Sequence, residues 1–230
     1  MESAILLVHL RRELDAFRVC LSSDLTARVE HCGDWTLLDL ADHLGGSNLW
    51  AEAAVTQGHG EYKPRAAPRE RSALVQWFDA ASEALLRALD TDPSTEAWTF
   101  HPPDTVGFWQ RRRCLEALVH RWDAENALGV PRPLNAELAG EGVAEVFDTM
   151  APRQVARGRA VRPQVALRLE ATDTGAAWTY GVGAPVAMLA GTAENLLLTL
   201  WGRLAPTDNA LMWDGDRQAG QRILNGPLIP

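Results

Sequence analysis

The chain has 230 residues, 47% of them hydrophobic and 23% charged, enough apolar material for one large or two small cores, which excludes a disordered tail. Its net charge is −8, and the short Arg111-Arg112-Arg113 run is the one basic cluster, so the broad basic surface that nucleic acid requires is excluded. No apolar run is long enough to span a membrane, and Ala4–Leu10 has its flanking charges in the wrong order for a signal peptide; no membrane partner and a cytoplasmic location are expected.

Four amphipathic stretches fill the first half. The first covers Ser3–Ser22, with Ile5, Leu6, Leu10, Leu14 and Phe17 at helical spacing. The second begins after Thr36, a good N-cap, and carries Leu37, Leu40, Ala41 and Leu44 on one stripe. The third covers Arg69–Leu89 and the fourth Gly107–Leu128. The links between them hold Gly, Pro and Asp, so the region reads as a four-helix bundle over residues 1–130. Gly129–Pro133 then reads as a linker. Residues 134–230 read as a small α/β domain: a helix over Asn135–Thr149, strands over Val165–Glu170, Ala176–Val182 and Pro185–Leu189, an apolar helix over Thr192–Trp201, and a Gly/Asp-rich close around Trp213–Asp216. The fold class is therefore α+β.

Chemistry concentrates on the fourth helix. Glu116 and His120 are four residues apart, so they share one face and can chelate a single ion. A facing helix commonly completes such a pair, and His43, which interrupts the apolar flank of the second helix, is the natural third ligand. Asp123, three residues after His120, can accept the second imidazole N–H and fix the ring. The same Glu/His spacing is also common on solvated helix faces, and the spacing alone does not separate the two readings.

Other residues are read more plainly. Cys20, Cys32 and Cys114 are odd in number and lie at no redox or metal-ligand spacing, so they read as reduced thiols, with Cys32 structural. His101, before two prolines, reads as a loop residue, and His9, His31 and His59 have no partner pattern. Arg203 closes an apolar helix, either as a partner of its C-terminal dipole or as an anion-binding arm. Lys63 is the one lysine among 22 basic residues, a bias that suits a high-GC genome. The nine tryptophans divide between core and pocket.

Three stretches together resemble the mycothiol-dependent maleylpyruvate isomerase family. Glu30-His31-Cys32-Gly33-Asp34-Trp35-Thr36, followed by Asp39-Leu40-Ala41-Asp42-His43-Leu44, resembles its opening signature. Phe108-Trp109, the arginine run, Glu116 and His120-Arg121-Trp122-Asp123-Ala124-Glu125 resemble the second. Gly191-Thr192-Ala193, Leu200-Trp201-Gly202-Arg203 and Asp214-Gly215-Asp216 resemble the third. Two departures stand out: this chain lacks the Pro of the family's Cys-Pro-Gly-Trp pattern, and Leu115 stands where relatives often have His.

The resemblance implies a DinB-like metal-binding bundle followed by a sterol-carrier-like α/β domain. It implies a divalent metal, usually zinc, on His43, Glu116 and His120, and mycothiol, the small thiol of actinobacteria, as cofactor. Partners would then be a small-molecule thiol and a small electrophilic substrate. Isomerisation of a cis alkene or S-transfer would follow, with Arg203 or one of Arg111–Arg113 binding a substrate carboxylate. A zinc hydrolase, with Asp123 or Asp42 as base, and a non-enzymatic metal-stabilised module are the competing classes.

Overall fold

The computed structural model describes residues Met1–Pro230 and divides into two compact units, Met1–Arg132 and Pro133–Pro230. No helix is long and apolar enough to cross a membrane.

The first unit is the expected four-helix bundle: α1 (Ser3–Cys20), α2 (Leu37–Gln57), α3 (Arg71–Leu89) and α4 (Val106–Ala127). Helix α1 packs on α4, and α2 on α3 and α4. The seam of α1 is the stripe Leu6, Leu10, Leu14 and Phe17, all buried, with Phe17 stacked on Phe78 of α3 at 5.1 Å. Thr36 opens α2 with a reciprocal capping box to Asp39, which satisfies two otherwise orphaned N–H groups. Gly58, at φ 72°, closes it.

Helix α4 differs from the other three. Of its 22 residues 17 are buried, so it has almost no solvent face, yet eight of those 17 are Arg, Glu, His, Asp or Gln at 110, 112, 113, 116, 120, 121, 123 and 125. Burying charge is costly unless each group is paired. The far end shows how this is met: Arg121 donates to Glu13 (2.7 Å), Glu125 (2.8 Å) and the carbonyl of Arg132 (2.9 Å), while Glu125 also accepts from Arg132. That set ties the end of the bundle to α1.

The second unit is α/β. Helix α5 (Ala136–Glu145) runs on through a π-helical turn (Val146–Met150) into α6 (Ala151–Ala156), beyond the Thr149 end read from the sequence. Pro152 accounts for the turn, because it has no N–H and its ring crowds the carbonyl four residues earlier, so the helix widens by one residue instead of ending. A four-stranded sheet follows, in the order β2-β1-β3-β4, from β1 (Ala166–Ala171), β2 (Ala177–Tyr180), β3 (Pro185–Gly191) and β4 (Met212–Gly215). The central β1–β3 pair is parallel and the outer pairs are antiparallel. Helix α7 (Ala193–Leu200) packs on α5 and on the sheet, and α8 (Arg217–Leu224) packs on β3. Strand β4 and helix α8 replace the simple close expected near Trp213. Gly220 of α8 lets the helix approach the Trp213 ring, since a Cβ there would lie 2.3 Å from it.

Glu70 caps α3, accepting from Ser72 N, Ala73 N and the Ser72 hydroxyl. These bonds hold its carboxyl at about 2, down from an ordinary 4.5. A depressed folded-state pKa contributes stability above the unfolded value that is lost as pH falls through the folded one. Glu70→Ala is therefore expected to lower Tm at neutral pH, and the gap from wild type should narrow as pH falls from about 4.5 toward about 2. Thermal denaturation at stepped pH checks this; a gap independent of pH would refute it.

Candidate metal centre

Helices α2 and α4 bring His43, Glu116 and His120 together, with one ligand atom from each lying within 4.8 Å of the others. Glu116 Oε1 lies 3.2 Å from His43 Nε2 and 3.9 Å from His120 Nε2. The two imidazole rings meet edge to face at 5.1 Å. His43 also lies against Trp35 at 4.9 Å.

The two carboxylate oxygens of Glu116 have different partners. Oε2 accepts from Arg112 Nη2 (2.9 Å) and Nε (3.2 Å) and from Arg113 Nη1 (2.6 Å). Arg113 is itself held by Asn48 Oδ1 at 2.8 Å. Burial alone would raise the Glu116 pKa, but Arg113, Arg112 and the two histidines outweigh it and hold the carboxyl well below its usual range. Glu116 is thus a fixed carboxylate with Oε1 turned to the histidines.

His120 is almost fully buried, and its Nδ1 lies 3.0 Å from Asp123 Oδ2. A carboxylate there accepts Nδ1–H and leaves the Nε2 lone pair aimed at Glu116 Oε1. Burial pushes the ring below its ordinary pKa, against the pull of Asp123, which keeps it neutral near pH 7. Two imidazole nitrogens and one carboxylate oxygen, each of the last two held by a second partner, form a donor set that fits a divalent ion such as zinc.

Cys32 lies behind this set, with Sγ 3.9 Å from Asp123 Oδ2. Cys32, Asp123 and His120 are also close enough to form a ligand trio, but that trio would take the His120 nitrogen already hydrogen-bonded to Asp123. The turn carrying Cys32 accounts for the missing proline. Gly33 sits at φ 64°, so the turn runs through the left-handed region at the position where proline, locked at negative φ, cannot go.

Several residues fall elsewhere. Arg112 and Arg113 are committed to Glu116, so the arginine run does not supply those two for a substrate carboxylate. The His101 carbonyl caps Thr99 in a loop, and the His31 ring faces Trp122 at 6.2 Å. In the second unit Arg203 Nη1 donates to the Trp201 carbonyl at 2.6 Å and lies over the Trp201 ring, as a partner of the α7 C-terminus does. Sequence reasoning missed the arginine clamp. Its signal was available, since Arg112 and Arg113 stand four and three residues before Glu116, on one helical face.

A four-helix bundle with a His/Glu/His cluster, followed along the chain by a small α/β unit, defines a two-part protein with a candidate metal centre in its first part. The model of the mycothiol maleylpyruvate isomerase N-terminal domain matches residues 7–125, and that of the MDMPI C-terminal domain matches residues 137–222. The chain belongs to the mycothiol-dependent maleylpyruvate isomerase family. Uncharacterized proteins from two strains of Mycobacterium tuberculosis are 28% identical to it over 158 residues, 64% of this chain and 80% of theirs. The crystal structure of the mycothiol-dependent maleylpyruvate isomerase shares its fold, with TM-score 0.68 and 16% identity over 93% of each chain. So does that of a histidine-to-alanine mutant, with TM-score 0.66 and 15% identity over 93% of each chain.

Protein purified under metal-replete conditions is expected to hold about one divalent ion per chain. His43→Ala or Glu116→Ala should remove most of it, and Asp123→Asn should weaken affinity by about 10–100-fold. Elemental analysis and competition with a chelator read all three; wild-type protein that stays empty would refute the assignment. Separately, Arg113→Met breaks the buried Glu116–Asn48 linkage and should cost about 3–5 kcal/mol in the metal-free protein, read as a lower urea midpoint.

Proposed function

We propose that the protein is a metal-dependent enzyme that uses mycothiol as thiol cofactor or co-substrate. It would act on a small electrophilic metabolite, either as a cis–trans isomerase of the maleylpyruvate type or as an S-transferase. His43, Glu116 and His120 would hold the ion, and zinc suits their mixed nitrogen and oxygen donors. The ion would favour the thiolate of a bound thiol, supplying the nucleophile that addition to a cis alkene or S-transfer requires.

One observation carries this reading against a hydrolase. The carboxylates beside the cluster are already engaged in ways that suit ligation and orientation better than proton transfer. Glu116 is kept ionised by Arg112 and Arg113 and presents Oε1 to the histidines. Asp123 has no exposed side chain and holds His120 Nδ1, so it orients the ring and is shut off from an attacking water. Asp42 uses Oδ1 to accept the Ala67 N–H at 2.6 Å. A thiol already held as thiolate needs no such base, whereas an attacking water does. Family membership supports the same choice. The relative named for this activity is a mycothiol-dependent maleylpyruvate isomerase, which favours isomerisation over S-transfer.

His43 presents the open side of the cluster: its side chain is 37% exposed, against 6% for His120. Substrate and thiol would therefore approach from the α2 side. Arg203 is proposed to bind an anionic group of thiol or substrate, in exchange for its contact with the Trp201 carbonyl.

Saturating mycothiol should raise the Tm of the metal-loaded protein, as a ligand of the native state must. The shift should vanish in His120→Ala and shrink in Arg203→Ala, and glutathione should give less. Absence of a shift and of thiol-dependent turnover, together with water-dependent cleavage of an ester or amide, would replace this reading with the hydrolase.

A further inference from the structure

A cleft of about 410 Å³ opens beside His43, and its walls come from α2 and from the segment that leads into α3. On the helix side it is lined by Asp42, His43, Ser47 and Trp50, and on the other side by Pro64 and Arg65. Arg65 brings the one guanidinium in this lining. Neither an ion pair nor a hydrogen bond within the chain engages it, and its side chain is exposed. The other arginines near the centre are spent: Arg112 and Arg113 on Glu116, and Arg28 on Asp34 at 2.8 Å.

Arg65 is also well placed by its neighbours. Pro64 packs on Gly46, where an added Cβ would meet its ring at 3.4 Å. Ala67 N–H donates to Asp42 Oδ1 at 2.6 Å. The segment is therefore anchored to α2 on both sides of Arg65, one tether at Asp42 and one at Gly46, the two positions that bracket His43. A loop fixed in this way presents its cation at small entropic cost when a ligand arrives.

We infer that Arg65 is the carboxylate-binding residue of this cleft and selects an electrophile that carries a carboxylate. The inference rests on reading the cleft as the substrate side of the thiol-dependent site proposed above. A guanidinium matches a carboxylate through two parallel N–H···O bonds, which gives orientation as well as attraction. One guanidinium with the Asp42 carboxylate in the same lining suits a singly charged group better than a phosphate dianion. The aromatic face of Trp50 gives the rest of such a molecule an apolar wall.

The test uses full-length, metal-loaded protein and isothermal titration calorimetry with succinate, its diamide and inorganic phosphate. Succinate is expected to bind wild type, with the diamide failing to bind and phosphate binding more weakly. Arg65→Gln should weaken succinate binding at least tenfold. Arg65→Lys, which keeps the charge and loses the fork, should fall between. Metal content and Tm should be unchanged in both variants, because the side chain is exposed and unpaired. Equal succinate affinity in wild type and Arg65→Gln would overturn the inference, as would absence of succinate binding or equal binding of the diamide or of phosphate. Mycothiol stabilisation is read on the same samples. Arg65-dependent succinate binding without a mycothiol shift overturns the thiol reading alone, and a mycothiol shift with Arg65-independent binding overturns this inference alone.

Discussion

The division of labour between the two oxygens of Glu116 is the constraint on which the rest of the site depends. A carboxylate this deeply placed would be neutral without compensation. Two arginines on one oxygen keep it charged, and in doing so they leave the other oxygen to the histidines. The geometry on each side follows from that choice. Arg113 must reach Asn48 on α2 to satisfy its remaining donors, which draws α2 against α4 at the level of His43. Once α2 is there, His43 Nε2 falls 3.2 Å from Glu116 without any further device. The centre is therefore a product of charge compensation between two helices as much as of the three side chains at its focus.

Around this charged seam the protein places aromatic mass. Trp50 of α2 meets Trp98 and Trp109 edge to face at 5.7 and 5.1 Å, and Phe100 and Phe108 close the group. The indole N–H groups reach backbone carbonyls, Trp109 to Trp98 at 2.7 Å and Trp50 to Gly60 at 3.0 Å. Gly60 has to be a glycine, since a Cβ would lie 2.1 Å from the Trp98 ring. The cluster thus stitches the segments on both sides of α3 to the helices that carry His43, Glu116 and His120, and it gives the cleft a stiff wall beside His43.

Much of this was legible in the sequence, and the parts that were not have physical reasons. Regular apolar spacing identified α1, α2 and α3 because each buries a stripe of apolar residues at helical spacing. Helix α4 was recognisable by length, but its burial was not, since a helix rich in Arg, Glu and His reads as solvated until its partners are known. The Glu116–His120 spacing on one helix was visible. That Arg112 and Arg113 serve the same carboxylate depends on rotamers and on Asn48, 65 residues from Arg113, which periodicity does not report. The π-helical turn was hidden because Pro152 ordinarily argues for a helix end. Strand β4 was hidden because its four residues, half-exposed or exposed, show no alternation. Arg65 lay in a polar, proline-bearing link and carried no signal of its own; only the tethers at Asp42 and Gly46 give it a place.

The lack of a solvent face on α4 bears on how such a chain can diverge. On an ordinary amphipathic helix the exposed side drifts freely while the buried stripe is held. Here Arg112, Arg113 and Glu116 form one linked set with Asn48, and Glu13, Arg121, Glu125 and Arg132 form another. Loss of a buried charged member such as Arg113, Glu116 or Arg121 leaves the buried charge of its partners undercompensated, so such single replacements pass through a destabilised intermediate that paired replacements avoid. Variation along α4 should therefore come in blocks, with members of each set exchanged together and drawn from helices far apart in the chain. The same reasoning makes α4 the poorest place to graft new specificity. The connecting segment that carries Arg65, which belongs to neither ionic set, is the part of the bundle most open to change without disturbing them.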